Sequence, residues 1–140
     1  MKVWISSESS GDKQLGEELW KLYMKLEKAI NKHLQEIEYE NDKLDKLRVI
    51  IILRDDDYFN EIKKYRKSKK DTDIRLKIDY NTFLNANEEE RKNLILDVLL
   101  RSLDILEEKG LDNFEELRDY FKSLKETPLK EIEKQLEQDG

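Results

Sequence analysis

Residues 74–106, IRLKIDYNTFLNANEEERKNLILDVLLRSLDIL, decide the fold. Ile74, Leu76, Ile78 and Tyr80 alternate with Arg75, Lys77 and Asp79, the period of two that marks a strand with one covered face. Further on, Leu94, Ile95, Val98, Leu99, Leu103 and Leu106 recur mostly at three and four, the stripe of a buried helix. Asn87 followed by Glu90 supplies a capping box: the Asn side chain takes an orphan amide and the Glu reaches back to the cap. The stretch therefore reads as a strand, a short polar loop and the most apolar helix of the chain.

Upstream, residues 47–53 (LRVIIIL) are apolar at almost every position, which fits a central strand buried on both faces. Residues 2–8 (KVWISSE) read as a first strand, with Val3 and Ile5 on one side and Trp4 and Ser6 on the other. Trp4 is expected to be partly covered by a helix. Between these strands, residues 12–39 carry a stripe of Leu15, Leu19, Leu22, Leu26, Ile30, Leu34 and Ile37. A helix of that length spans about 40 Å, enough to cross a small sheet. The spacing also resembles a coiled-coil seam, so a monomer or a weak homodimer is expected. Residues 58–66 suit either a helical turn or a bulged edge strand. The lysines that follow favour the edge strand of a hairpin, since lysine protects open sheet edges.

Downstream, Lys109-Gly110 closes the apolar helix, with glycine as the C-cap signal. Asp112 with Glu115 signals the next helix, which buries Leu117, Tyr120, Phe121 and Leu124. Thr127-Pro128 opens a last helix through Leu129, Ile132 and Leu136. The expected fold is one α+β domain over residues 1–140: a four-stranded, mainly antiparallel sheet packed against a long N-terminal helix and a C-terminal helical segment.

Of the 140 residues, 43% are charged and 37% hydrophobic. The apolar residues are periodic, which separates a folded domain with a charged surface from a disordered chain. With no cysteine, disulfides and thiolate metal sites are excluded. No stretch approaches a membrane span, and residues 1–10 lack the apolar core of a signal peptide, so a cytoplasmic protein is expected. Net charge is −6, and residues 104–140, with 12 acidic and 6 basic side chains, carry all of it. Residues 61–77 reverse the sign, with eight basic side chains against three acidic.

Catalytic signatures are weak. The serines at 6, 7, 9 and 10 lack a GxSxG spacing or a glycine-rich cradle. Asp55, Asp56 and Asp57 follow a strand, but no calcium-loop pattern accompanies them. His33 is the only histidine. A hydrolase built on these residues is the least favoured reading, and no catalytic residue, cofactor or metal is expected. A nucleic-acid-binding module using Lys63, Lys64, Arg66, Lys67, Lys69, Lys70, Arg75 and Lys77 is the alternative, because phosphate contacts need clustered positive charge. An edge strand kept soluble by lysine explains the same residues.

Several blocks, in order, resemble one known family: KVWISSES, YFNEIKKYRKSKK running into IRLKIDYNTFLNAN, and LLRSLDIL. Together they are similar to the immunity protein 44 family of bacterial polymorphic toxin systems, over residues 2 to about 121. The resemblance implies a small, non-enzymatic cytoplasmic protein that binds a cognate toxin domain and blocks it. It assigns no contact residues. A nuclease toxin would present a basic substrate cleft. The acidic helical end would then be the contact surface, with Asp112, Glu115, Glu116, Asp119, Glu126, Glu131 and Glu133 as candidates. For each of these alone, a solvated helix face is the plainer reading.

Overall fold

In a computed structural model of the chain, residues 1–7, 17–37, 47–54, 66–67 and 72–139 are described. The elements run β1 (Lys2–Ser7), α1 (Glu17–Glu36), β2 (Leu47–Arg54), β3 (Arg66–Lys67), β4 (Thr72–Asp79), α2 (Tyr80–Asn85), α3 (Glu88–Glu108), α4 (Glu115–Glu126) and α5 (Leu129–Asp139). The sheet order is β1-β2-β4-β3. β2 is central, as its continuous apolar run implied.

The pairing overturns the expected mainly antiparallel sheet. β1 lies parallel to β2, with Val3 opposite Val49, and β2 lies parallel to β4, with Val49 opposite Ile74. The two-residue β3 alone runs antiparallel, against Thr72 and Asp73. For the β1–β2 pair, the long N-terminal helix is the physical reason. Its length suits a cover across the sheet, and it also connects β1 to β2. A helical crossover returns the chain to the starting end, so the next strand runs the same way. The helical layout differs too. The polar loop expected after β4 contains α2, whose N-cap is Asp79: its carboxylate accepts from the backbone N–H and the hydroxyl of Thr82, both at 2.9 Å. Tyr80, counted with the strand, is the first residue of that helix. The expected strand at 58–66 lies outside the described residues, except for Arg66 in β3.

Register places Val3, Ile5, Val49, Ile51, Leu53, Ile74, Leu76 and Ile78 on one sheet face, all buried. They form one core with Tyr23, Leu26, Ile30 and Leu34 of α1 and with Ile95, Leu99, Leu103 and Leu106 of α3. Tyr23 meets Phe83 edge-on, with ring centroids 5.1 Å apart. Trp4 stands on the opposite face and is 43% exposed, with the Lys2 ammonium 4.9 Å from its ring centroid.

β1 is an edge strand, and α1 closes its outer side. The Asn31 carboxamide pairs with Val3 as a neighbouring strand would: it accepts from the Val3 N–H at 2.7 Å and donates to the Val3 carbonyl at 2.8 Å. One turn earlier, Glu27 accepts from the Ile5 N–H at 3.4 Å, and burial raises its carboxyl above the usual range. Edges left open recruit other chains, and here two side chains occupy the positions a strand would take.

Candidate functional site

The acidic end of the chain is built on α3, α4 and α5. The Asn87/Glu90 capping box starts α3 as expected, through bonds of 2.9 and 3.1 Å. Its C-terminus is a Schellman motif: the Gly110 N–H donates to the Glu107 carbonyl and the Leu111 N–H to the Leu106 carbonyl. Gly110 has φ +88°, the left-handed conformation this motif needs. Asn113 also takes positive φ, at 72°, and buried Phe114 occupies the N-cap of α4 with no side-chain bond to the helix. Asp112 is therefore not the cap that the sequence suggested. Burial of Phe114 seats the helix instead.

Leu117, Phe121 and Leu124 bury one side of α4. Helical spacing then turns Glu115, Glu116, Asp119 and Glu126 outward, and all four are exposed. Asp112 is exposed just before them and Glu131 on α5. Glu133 departs from the group, because it is half-buried and ion-paired with Lys25 of α1. The structure thus gathers Glu115, Glu116 and Asp119 within about one turn of one helix, and it employs Glu133 between α1 and α5.

Two cations near this stripe, Arg118 and Lys125, are engaged by acids of α3, while Lys122 stands exposed on the same helix. Arg118 binds Glu107 at 2.7 Å and Asp104 at 2.6 Å, and these bonds hold its guanidinium pKa above the usual value. Lys125 binds Asp97 at 2.6 Å. Thr127, expected to cap the last helix, instead closes α4: its N–H donates to the Leu124 carbonyl and its hydroxyl to the Ser123 carbonyl.

The first amide of α5, that of Leu129, donates to Glu89 Oε1 at 2.9 Å. The other oxygen of Glu89 accepts from Lys92 Nζ at 2.7 Å, and the same ammonium donates to the carbonyls of Lys125 and Thr127. Lys92 is completely buried. The pair is a clasp: Glu89 serves the positive start of α5 while Lys92 serves the negative end of α4. The Leu129 amide, then Lys92, keep the Glu89 carboxyl below its usual range.

His33 stacks on Tyr120, with ring centroids 3.6 Å apart and 13° between planes, beside a cavity of about 160 Å³. Desolvation, with the Glu36 charge second, pushes the Tyr120 phenol up to about 12. A groove of about 490 Å³, which no motif announced, runs along the outer side of α3, floored by Ile78, Leu94, Val98 and Leu100. Its one sequence signal was that α3 has more apolar residues than a single buried stripe uses. Leu94, read as part of that stripe, is only half-buried.

Most of the other candidates are not among the described residues. Lys63, Lys64, Lys69 and Lys70 lie outside the described residues, as do Ser9, Ser10 and Asp55 to Asp57. Arg75 is half-buried in the sheet and Lys77 only 8% exposed. Among the described residues, no group of three His, Cys, Asp or Glu side chains is placed to hold a metal, and no helix is long and apolar enough to cross a membrane.

No curated protein and no solved structure matches the chain. A family model does. Its match takes in the parallel sheet, the α3 groove, the α4–α5 clasp and the acidic stripe of α4. Described as immunity protein 44, that model covers residues 1–134 and so shows that the chain belongs to the immunity protein 44 family.

Proposed function

We propose that this protein binds a cognate toxin domain and blocks it by occupying its surface, without catalysis, in the cytoplasm of a bacterium that also encodes the toxin. Membership of the immunity protein 44 family, across residues 1–134, carries this reading. The partner surface we propose is the acidic end of the chain, with Glu115, Glu116 and Asp119 at its centre and Asp112, Glu126 and Glu131 around them. Glu133 belongs at the margin, since it is paired with Lys25.

Two features support this choice. The outward carboxylates of α4 outnumber the one exposed cation among them, Lys122, while Arg118 and Lys125 are bound to acids of α3. The net charge of −6 also suits a basic partner, and a toxin acting on nucleic acid would present a basic cleft. Exposed charges of this kind steer encounter more than they hold the complex together.

The test is association kinetics against the toxin at low and high salt, with circular dichroism as the folding control. Changing Glu115, Glu116 and Asp119 together to Lys is expected to slow association at low salt and leave the fold intact. The difference should shrink as salt screens charges over roughly 8–10 Å. Unchanged association at low salt would remove α4 from the interface.

A further inference from the structure

The groove along α3 has a chemistry of its own. Its floor is apolar, yet Leu94 and Leu100 are only half-buried in the isolated chain. A helix that is apolar beyond one stripe usually has something on its second side. Asp79, Asp97 and Asp104 border the groove, with Arg101 as the one cation among the described residues of its lining. Lys125 and Arg118 reach across from α4 and bind Oδ1 of Asp97 and of Asp104. Asp97 and Asp104 are thus fixed on the rim with part of their charge offset, and each keeps its Oδ2 to accept from a further cation. Beyond Thr82 the depression continues past Asn85, Glu90 and Asn93, adding a fourth carboxylate. The volume of about 490 Å³ lies within the ~300–1,000 Å³ range of ligand-sized clefts.

We infer that this groove is the anchoring part of the toxin interface, and that it receives an amphipathic segment of the toxin with apolar side chains flanked by Lys or Arg. The apolar floor selects the buried side chains, and the carboxylate rim selects the sign of their neighbours. This rests on the proposed immunity function and deepens it by dividing the labour. The acidic stripe of α4 governs encounter. The groove governs residence, because buried apolar contacts act mainly on the dissociation rate.

The experiment measures binding of the purified toxin domain by surface-immobilised kinetics. Leu94→Lys places a cation among the apolar contacts and opposes a basic segment, so dissociation should speed up by about 30-fold or more, the scale of an interface hot spot. Arg101→Glu alters only an exposed rim position and should raise the association rate several-fold at low salt. Because Arg101 is exposed, this second variant decides the matter even where Leu94→Lys fails to fold.

Wild-type dissociation from a folded Leu94→Lys protein, or no gain from Arg101→Glu, overturns the groove assignment while parent binding leaves the immunity reading standing. A parent protein that does not bind the toxin at all overturns both. Sedimentation supplies a separate arm: loss of self-association in Leu94→Lys with toxin binding unchanged assigns the groove to a second copy of this chain and overturns the toxin-segment proposal.

Discussion

Replacing Lys92 with Met should destabilise the protein by about 2–3 kcal/mol. The substitution keeps the unbranched apolar stem and removes the ammonium. That ammonium donates at 2.7 Å to Glu89, at 3.1 Å to the Lys125 carbonyl and at 2.6 Å to the Thr127 carbonyl. A hydrogen bond to a charged group is worth about 1.5–3 kcal/mol, and a buried carbonyl left without a partner costs about 1–3 kcal/mol. Against this, a completely buried ammonium carries a desolvation penalty of several kcal/mol, which Met does not. Glu89 is 51% exposed, so water takes over its freed oxygen and no buried charge is stranded. The loss therefore falls below the ~3–5 kcal/mol of a broken buried pair. Urea unfolding followed by far-ultraviolet circular dichroism measures it, as a lower midpoint at unchanged slope. A variant as stable as the parent, or more so, would show that desolvation of Lys92 outweighs its three bonds and that the α4–α5 corner is held by Leu124, Leu129 and Ile132 alone.

Leu99 has no exposed surface, so Leu99→Ala should cost about 2–5 kcal/mol through the cavity it leaves between α3 and the sheet. A thermal melt superimposable on that of the parent would refute this. Glu89 also sets a pH dependence, because its carboxyl is depressed from the ordinary 4.5, first by the Leu129 amide and then by Lys92. A depressed carboxyl contributes its full stabilisation above the unfolded value and loses it as pH falls through the folded value. Asp79 acts in the same sense, whereas Glu27, raised by burial, acts in the opposite one. The acid-side decline in urea midpoint should accordingly be shallower in Glu89→Gln than in the parent, and equal slopes would contradict the assignment. Asn31→Leu removes both bonds to Val3 and should cost about 1–2 kcal/mol. It should also leave the protein more self-associated in sedimentation than the parent, and no change in either would show that the β1 edge needs no cover.

The strand and helix of residues 72–108 were legible because their signals are local. Alternation marks β4, a mixed three-and-four spacing marks α3, and Asn87 with Glu90 marks the boundary between them. Strand direction was not local. For β1 and β2 it depends on α1 being a crossover, and the one clue was the unbroken apolar run of β2, which suits a strand in a parallel sheet. α2 was hidden because Asp79 and Tyr80 continue the strand alternation while also starting the helix. The clasp was illegible for a different reason. Lys92 reads as one more lysine on a charged helix, and only the α4–α5 corner, more than thirty residues downstream, supplies its acceptors. The acidic stripe followed directly from helical spacing, but the engagement of Glu133 by Lys25 spans 108 residues, beyond the reach of any local pattern.

The most direct measurement is survival on co-expression with the toxin domain encoded in the neighbouring reading frame, with purified toxin activity titrated in parallel. Cells are expected to survive only when this protein is present, and toxin activity to fall linearly to an end point at a fixed stoichiometric ratio, with no added cofactor and no loss of inhibitor over time. Cells that die at matched expression, or purified toxin that stays active in molar excess of this protein, would contradict the claim that it neutralises its partner by binding.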